Sequence, residues 1–319
     1  MVSYWKLDET TGVTFADFKG GHSAITGVAP TSGAGVVNNG QTFDPTKDVR
    51  LSVLDNANQY DWNQGTDVSG AVWFKCGVDI TTATGPQVIM GRLGASGSTE
   101  AQHWWWFGLD TNNYVAFYGS NDVGTYAPAD PGYPNMIGGH TTWGEHYMDN
   151  VWHQAVFTLD VNASNAYTLK IYVDGELKTT ETETFETSNF TSAADLNIGW
   201  WQNPWGASFE FEGSLDEIAF YKRALTAAEI YEMYTDGQAH KAYCQPGNYA
   251  PVFKSTPILT ATEDVLYSYA VITADYDVSN TLTITKASGP AWLTVTDNHN
   301  GTAVLSGTPL NADVATHPV

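Results

Sequence analysis

An acid-x-acid spacing puts two carboxylates on one face of a strand, and it occurs at Glu181-Thr182-Glu183 and at Glu210-Phe211-Glu212. Two carboxylates about 5 Å apart can cleave a glycosidic bond with retention. The first run continues as Thr184-Phe185-Glu186 in a Thr-rich polar stretch, so a solvated strand face accounts for it. The second turns its acids outward beside an apolar Phe209 and Phe211 face. Neither predicts catalysis. Histidines offer no other chemistry. His103, His140 and His146 lie in aromatic segments without the spacing of a zinc site, and His153 follows Trp152 at the start of an apolar strand. No nucleophile-elbow or phosphate-loop string occurs.

Aromatic residues offer a different chemistry. Sugar rings present flat C–H faces that Trp and Tyr cover, while Asp and Asn bind hydroxyls. Eleven of the twelve Trp residues precede residue 245. The candidate platforms are Trp104-Trp105-Trp106, the stretch from Tyr126 to Asp149, and Trp200-Trp201-Gln202-Asn203-Pro204-Trp205. Strand alternation sends Trp105 to the face opposite its neighbours, so at least half of these rings are core. Trp143, Trp205 and Tyr133 sit in Gly- and Pro-rich text and are the candidate ligand residues. Asp110 and Asn112 are candidate polar partners, with ordinary turn chemistry as the competing role.

The elements that must hold these residues are strands. The chain has 319 residues with 42% hydrophobic and 13% aromatic content, enough for a packed core and about two domains. Thirty glycines beside 15% charged residues favour strands joined by turns. Ala71–Lys75, His153–Leu159 and Thr168–Val173 alternate, and Asp174-Gly175 marks a tight hairpin into Glu176-Leu177-Lys178. One helix is predicted: Thr226-Ala227-Ala228-Glu229 is a capping box, Ile230, Met233 and Tyr234 follow at helical spacing, and Gly237 supplies the stop.

Charge sets the partners. The net charge of −22 repels nucleic acid and anionic membrane surfaces, and suits hard cations such as calcium. No run of eighteen apolar residues occurs, so no membrane-inserting helix is predicted. The N-terminus has no basic n-region and apolar h-region, so an export signal, where one exists, lies outside this chain. Cys76 and Cys244 are far apart, and either a disulfide or two separate buried thiols is compatible with them. Composition shifts at Gln245-Pro246-Gly247-Asn248-Tyr249-Ala250-Pro251, a stiff linker. Before it lie 29 acidic and 11 basic residues, after it 6 and 2. The reading is all-β, with one module over 1–245 and a second over 246–319.

Several strings resemble the laminin-G-like (concanavalin A-like) jelly rolls of secreted bacterial proteins. They are Tyr4-Trp5-Lys6-Leu7-Asp8-Glu9 with Ala16-Asp17-Phe18-Lys19-Gly20-Gly21, Val72-Trp73-Phe74-Lys75, Val151-Trp152-His153-Gln154, and Leu169–Gly175. The most specific is Gly213-Ser214-Leu215-Asp216-Glu217-Ile218-Ala219-Phe220-Tyr221 with Arg223-Ala224-Leu225-Thr226. The resemblance implies a module that binds glycans or protein ligands, often near calcium, and seldom an enzyme. Glucanases of this fold carry Glu-x-Asp-x-x-Glu, and the string at Glu181 departs from it at the central acid. At the matching positions, Asp17, a Gly20 carbonyl and Asp216 would hold a calcium ion that pins the chain's first strand to its last, against a competing role in turn and backbone hydrogen bonds.

The second module resembles bacterial cadherin-like (dystroglycan-type, immunoglobulin-like) repeats, through Asn248-Tyr249-Ala250-Pro251, Pro290-Ala291-Trp292-Leu293, Ser306-Gly307-Thr308-Pro309 and Asn311-Ala312-Asp313. It also has a β pattern at Leu282-Thr283-Ile284. The resemblance implies that Glu263, Asp275, Asp277 and Asp313 bind calcium, that closing strands lie beyond Val319, and that further repeats follow. The whole then reads as a calcium-dependent adhesion module of a bacterial cell-surface protein that binds a glycan or a cell-surface protein; a structural spacer and a glycan hydrolase are the alternatives.

Overall fold

The computed structural model describes residues 1–55, 58–62, 65–77, 85–92, 103–121, 136–142, 145–162, 166–184, 194–203, 207–243, 252–274 and 282–314. It divides into two compact units, Met1–Tyr243 and Cys244–Val319. The first is a jelly-roll sandwich of two eight-stranded antiparallel sheets. One sheet runs, in spatial order, Glu176–Thr184, Ala166–Val173, His153–Val161, Val68–Lys75, Gly213–Tyr221, Asn39–Phe43 and Thr31–Ala34, with Ser3–Trp5 added along Gly213–Tyr221. The other runs Met136–His140, Val115–Asn121, His103–Leu109, Gln87–Arg92, Leu196–Ile198, Leu51–Val53, Ala24–Ile25 and Thr14–Phe15.

Alternation decides what lies between the sheets. Val68, Val72 and Phe74 face inward from one sheet, and Trp105, Phe107 and Phe117 from the other. They meet through Phe157, whose ring centroid lies 4.6 Å from Phe117, 5.0 Å from Phe107 and 5.9 Å from Trp105. The hairpin at Asp174-Gly175 has positive φ at both residues, 52° and 77°, as a type I′ turn requires. Trp104 and Trp106 face outward, where Trp106 shares a buried cluster with Trp201 of the ribbon formed by Trp200–Gln202 and Ser208–Glu210.

The helix covers the outer face of the first sheet. It spans Ala227–Gln238, and both halves of the capping box form between Thr226 and Glu229. Tyr234 stacks on Trp73 at 5.7 Å. Gly237 is not the stop that the sequence suggested: it lies inside the last turn, and Ala239 is the C-cap. Its role is contact, since a Cβ there would sit 2.4 Å from the Trp73 ring.

The strand Gly213–Tyr221 is irregular at its middle. Leu215, Ile218 and Phe220 all enter the core, and the three-residue step between the first two is one more than a strand allows. Pairing with Val68–Lys75 slips between Asp216 and Ala219, and Glu217 has φ of 50°. This is a β-bulge, and it places two successive acids outside the intersheet core.

The second unit is a four-stranded antiparallel sheet in the order Val252–Phe253, Tyr267–Ala274, Thr302–Gly307, Thr294–Asp297. Its interior is small, around Val271, Leu293 and Ala303. Leu282-Thr283-Ile284 is not a strand; the Ile284 N–H donates to the Asp297 carboxylate at 3.1 Å.

Trp105 touches both sheets, with Phe117 and Phe220 rings 5.9 and 6.0 Å away. We expect Trp105→Ala to cost the first unit about 3–5 kcal/mol in urea denaturation. A loss below about 1 kcal/mol would show that this ring is not central to the core.

Candidate ligand-binding site

The two sheets end side by side. Met136–His140 and Glu176–Thr184 are edge strands of opposite sheets, and a cavity of about 420 Å³ opens between them. Tyr118, Gly138, Gly139, His140, Thr141 and Glu181 line it. Two glycines set its shape. A Cβ at Gly138 would lie 2.3 Å from the Tyr118 ring, and one at Gly139 would lie 2.9 Å from the Glu181 side chain. With no Cβ at either position, the tyrosine lies across the strand on one side and the glutamate on the other.

The polar groups are fixed in direction. His140 stacks on Tyr114 at 5.2 Å, and its Nδ1 donates to the Thr141 carbonyl at 2.7 Å. The neutral ring therefore offers Nε2 as an acceptor. Thr179 donates weakly to Glu181 at 3.4 Å. Thr141 is fully buried, yet its Oγ1 has no hydrogen-bond partner among the described residues. Such a group costs about 1–3 kcal/mol unless something fills the need. Burial raises the Tyr118 hydroxyl above its usual pKa, and the Asp110 and Glu181 charges add to the shift.

Sequence reasoning pointed elsewhere. Trp143, Trp205 and Tyr133 lie outside the described residues. Asp110 takes the turn role: one oxygen accepts the N–H of Asn112 at 2.8 Å and that of Tyr114 at 3.1 Å. Asn112 stays exposed in that turn. Glu181 lies on a solvated strand face, as its sequence context indicates, and it also lines the rim of the cavity. His140 and His146 do come together, but on the two sides of Tyr114 as stacked rings. His153 is more than packing, because Asp174 at 2.7 Å and Asp149 at 3.2 Å hold its two nitrogens. Nothing in the sequence advertised Arg92, which is buried between Asp55 and Asp61 and donates to the Ala194 carbonyl at 2.8 Å.

Comparison with known proteins agrees with the architecture. Residues 53–231 match the family described as the concanavalin A-like lectin/glucanases superfamily. The chain belongs to this superfamily. No curated protein sequence matches it. Among solved structures it is similar to the binding domain of Paraclostridial Mosquitocidal Protein 1, at 11% identity and a TM-score of 0.53 over 95% of this chain and 80% of the other. It is also similar to the receptor binding domain of botulinum neurotoxin D, at 14% identity and a TM-score of 0.50 over 86% of this chain and 63% of the other.

For a member of this superfamily, the calcium expected from Asp17, Gly20 and Asp216 meets the wrong kind of group. Oδ1 of Asp17 accepts three backbone N–H groups, from Tyr4 at 2.8 Å, Lys19 at 2.9 Å and Gly20 at 3.0 Å. Oδ2 accepts a fourth from His22 at 3.1 Å. Gly20 thus presents its N–H to Asp17. Asp216 accepts from Val36 at 2.8 Å, Val37 at 3.0 Å and Glu217 at 2.9 Å. The two carboxylates share no partner, and N–H donors stand where a cation would have to be, so the residues do not fit the ion. Tyr4 provides the link instead. Its N–H binds Asp17, and its hydroxyl donates to Glu217 on the bulge.

In the second unit, Glu263 is exposed in a turn and Asp313 accepts the Leu310 N–H at 2.9 Å. Asp275 and Asp277 lie outside the described residues, as does Cys244. Cys76 is buried, with its thiol donating to the Glu212 carbonyl at 3.2 Å.

Two expectations follow. Asp17→Ala strands buried N–H groups and should cost about 1–3 kcal/mol. The loss should be equal in calcium and in chelator, and a loss seen only in calcium would restore the ion. The second concerns pH. Burial raises the Asp216 carboxyl to about 8 and that of Glu217 to about 7, well above the usual carboxylate range. Groups raised on folding bind more protons in the folded state, so their stabilisation is full below about pH 4 and is lost as pH rises to about 8. His153, also raised, acts in the same direction, whereas Asp17 and Glu229 are lowered and act only in acid. Urea midpoints should therefore fall from pH 5 to pH 8, and fall less for Glu217→Gln; identical slopes would contradict the assignment.

Proposed function

We propose that the first unit is a carbohydrate-binding module that holds its ligand without cleaving it. The observation that carries this is the edge cavity, where an aromatic ring, a fixed imidazole acceptor, a carboxylate and an orphaned buried hydroxyl converge. An apolar ring face beside hydroxyl-binding groups is the chemistry that a sugar requires. Its volume of about 420 Å³ lies within the range of roughly 300–1,000 Å³ usual for small-molecule sites. Membership of a superfamily of lectins and glucanases agrees, and so does the likeness to binding domains of toxins.

Binding is favoured over hydrolysis by the number of carboxylates. A glycosidase flanks the bond with two, and Glu181 is the one carboxylate among the described residues lining the cavity. No calcium enters this reading.

The test is a glycan array probed with the full chain, followed by calorimetric titration of the best hit. Tyr118→Ala should weaken binding by about 1–3 kcal/mol, the worth of one covered aromatic face, with affinity referred to the folded fraction. Thr141→Val keeps the side-chain shape and removes the orphaned hydroxyl. It should leave stability unchanged or raise it. Failure to bind any glycan, or release of reducing ends from one, would overturn the proposal.

A further inference from the structure

The groups around the edge cavity are unequal in kind. Glu181 can only accept hydrogen bonds, and His140, with Nδ1 committed to the Thr141 carbonyl, presents an acceptor. The donors are the hydroxyls of Tyr118, Thr142 and Thr179, each of which can also accept. The cavity lining among the described residues contains no Lys or Arg. Lys178 precedes Thr179 on the same strand, but its ammonium is held by Glu145 at 3.2 Å and Glu176 at 3.1 Å. The chain as a whole is strongly acidic, with a net charge of −22.

A ligand carboxylate, sulfate or phosphate brings acceptors and negative charge. Here it would meet the Glu181 carboxylate with no Lys or Arg among the described lining residues to offset the repulsion. It would also bring no donor to Glu181 or to Nε2 of His140. A neutral sugar brings several hydroxyl donors. Such donors satisfy Glu181 and Nε2 of His140.

Resting on the carbohydrate reading above, we infer that the cavity selects neutral, hydroxyl-rich glycans and rejects acidic ones, with Glu181 as the residue that sets this specificity. The selection works by repulsion as much as by contact, which is how a site distinguishes ligands of similar shape.

The experiment compares paired oligosaccharides that differ in one acidic group: glucose-terminated against glucuronate-terminated, and N-acetylglucosamine against its 6-sulfate. Titration of the full chain with each pair should show the acidic member at least about tenfold weaker, a difference of about 1.4 kcal/mol. Raising salt should narrow that gap, because the repulsion is screened. Glu181→Gln should narrow it as well, and Glu181→Lys should reverse it, while Tyr118→Ala weakens both members of a pair. Equal or tighter binding of the acidic members, abolished by Tyr118→Ala, would overturn the specificity and leave the carbohydrate reading standing. No binding of any oligosaccharide would remove the carbohydrate reading and this inference together.

Discussion

The first unit is organised by one irregularity, the β-bulge at Asp216 and Glu217. The strand that contains it pairs with Val68–Lys75, with Asn39–Phe43 and with Ser3–Trp5, so segments far apart in the chain converge on it. A regular strand would send one of the two acids into the core. The bulge keeps both out and aims them at donors that need fixing. Asp216 receives the N–H groups of Val36 and Val37, and Glu217 receives the Tyr4 hydroxyl and the Tyr243 N–H. Hydrogen bonds to charged or polarised acceptors in a dry setting are strong, and leaving the same groups unpaired is costly. The ends of the unit are thus tied to its central strand by hydrogen bonds.

The cavity is a consequence of the same closure. A sandwich of two open sheets must leave edge strands, and proteins cover, charge or shorten them. Here Met136–His140 and Glu176–Thr184 face each other across the opening. The small residues Gly138 and Gly139 let Tyr118 and Glu181 reach over one strand from both sides. A recess at an edge can tolerate an exposed carboxylate and a ring in one place, which the intersheet core cannot. Its rigidity comes from neighbours rather than from the loop: Tyr114 fixes His140, and Trp106 backs Tyr118 at 5.2 Å.

Much of the framework is legible in the sequence, for physical reasons. Alternation and the Asp174-Gly175 turn reveal the central hairpin because both are local. The capping box fixes where the helix starts, yet Gly237 misleads about its end, because the pressure on that position comes from Trp73 on a distant strand. The bulge carries a sequence signal: in Leu215-Asp216-Glu217-Ile218-Ala219-Phe220 the apolar step is three and then two. Asp17 and Asp216 are recognisable as structural acids, but whether an acid faces a cation or N–H groups depends on backbone direction, which spacing alone does not give. Glu181 is the hardest case. Its text is that of a polar strand face, and its importance arises from a second strand forty residues earlier that the topology brings alongside.

The central claim is that a glycan sits in the recess between the two edge strands. Its most direct test is solution NMR of the full chain titrated with an oligosaccharide that it binds, following the amides of Gly138, Gly139 and Thr141 and the Thr141 methyl group. The account predicts that these resonances and those of Thr179 and Glu181 shift together along one binding curve, while those around the Asp216–Glu217 bulge stay in place. Saturable shifts confined to other residues, with the edge strands unmoved, would contradict it.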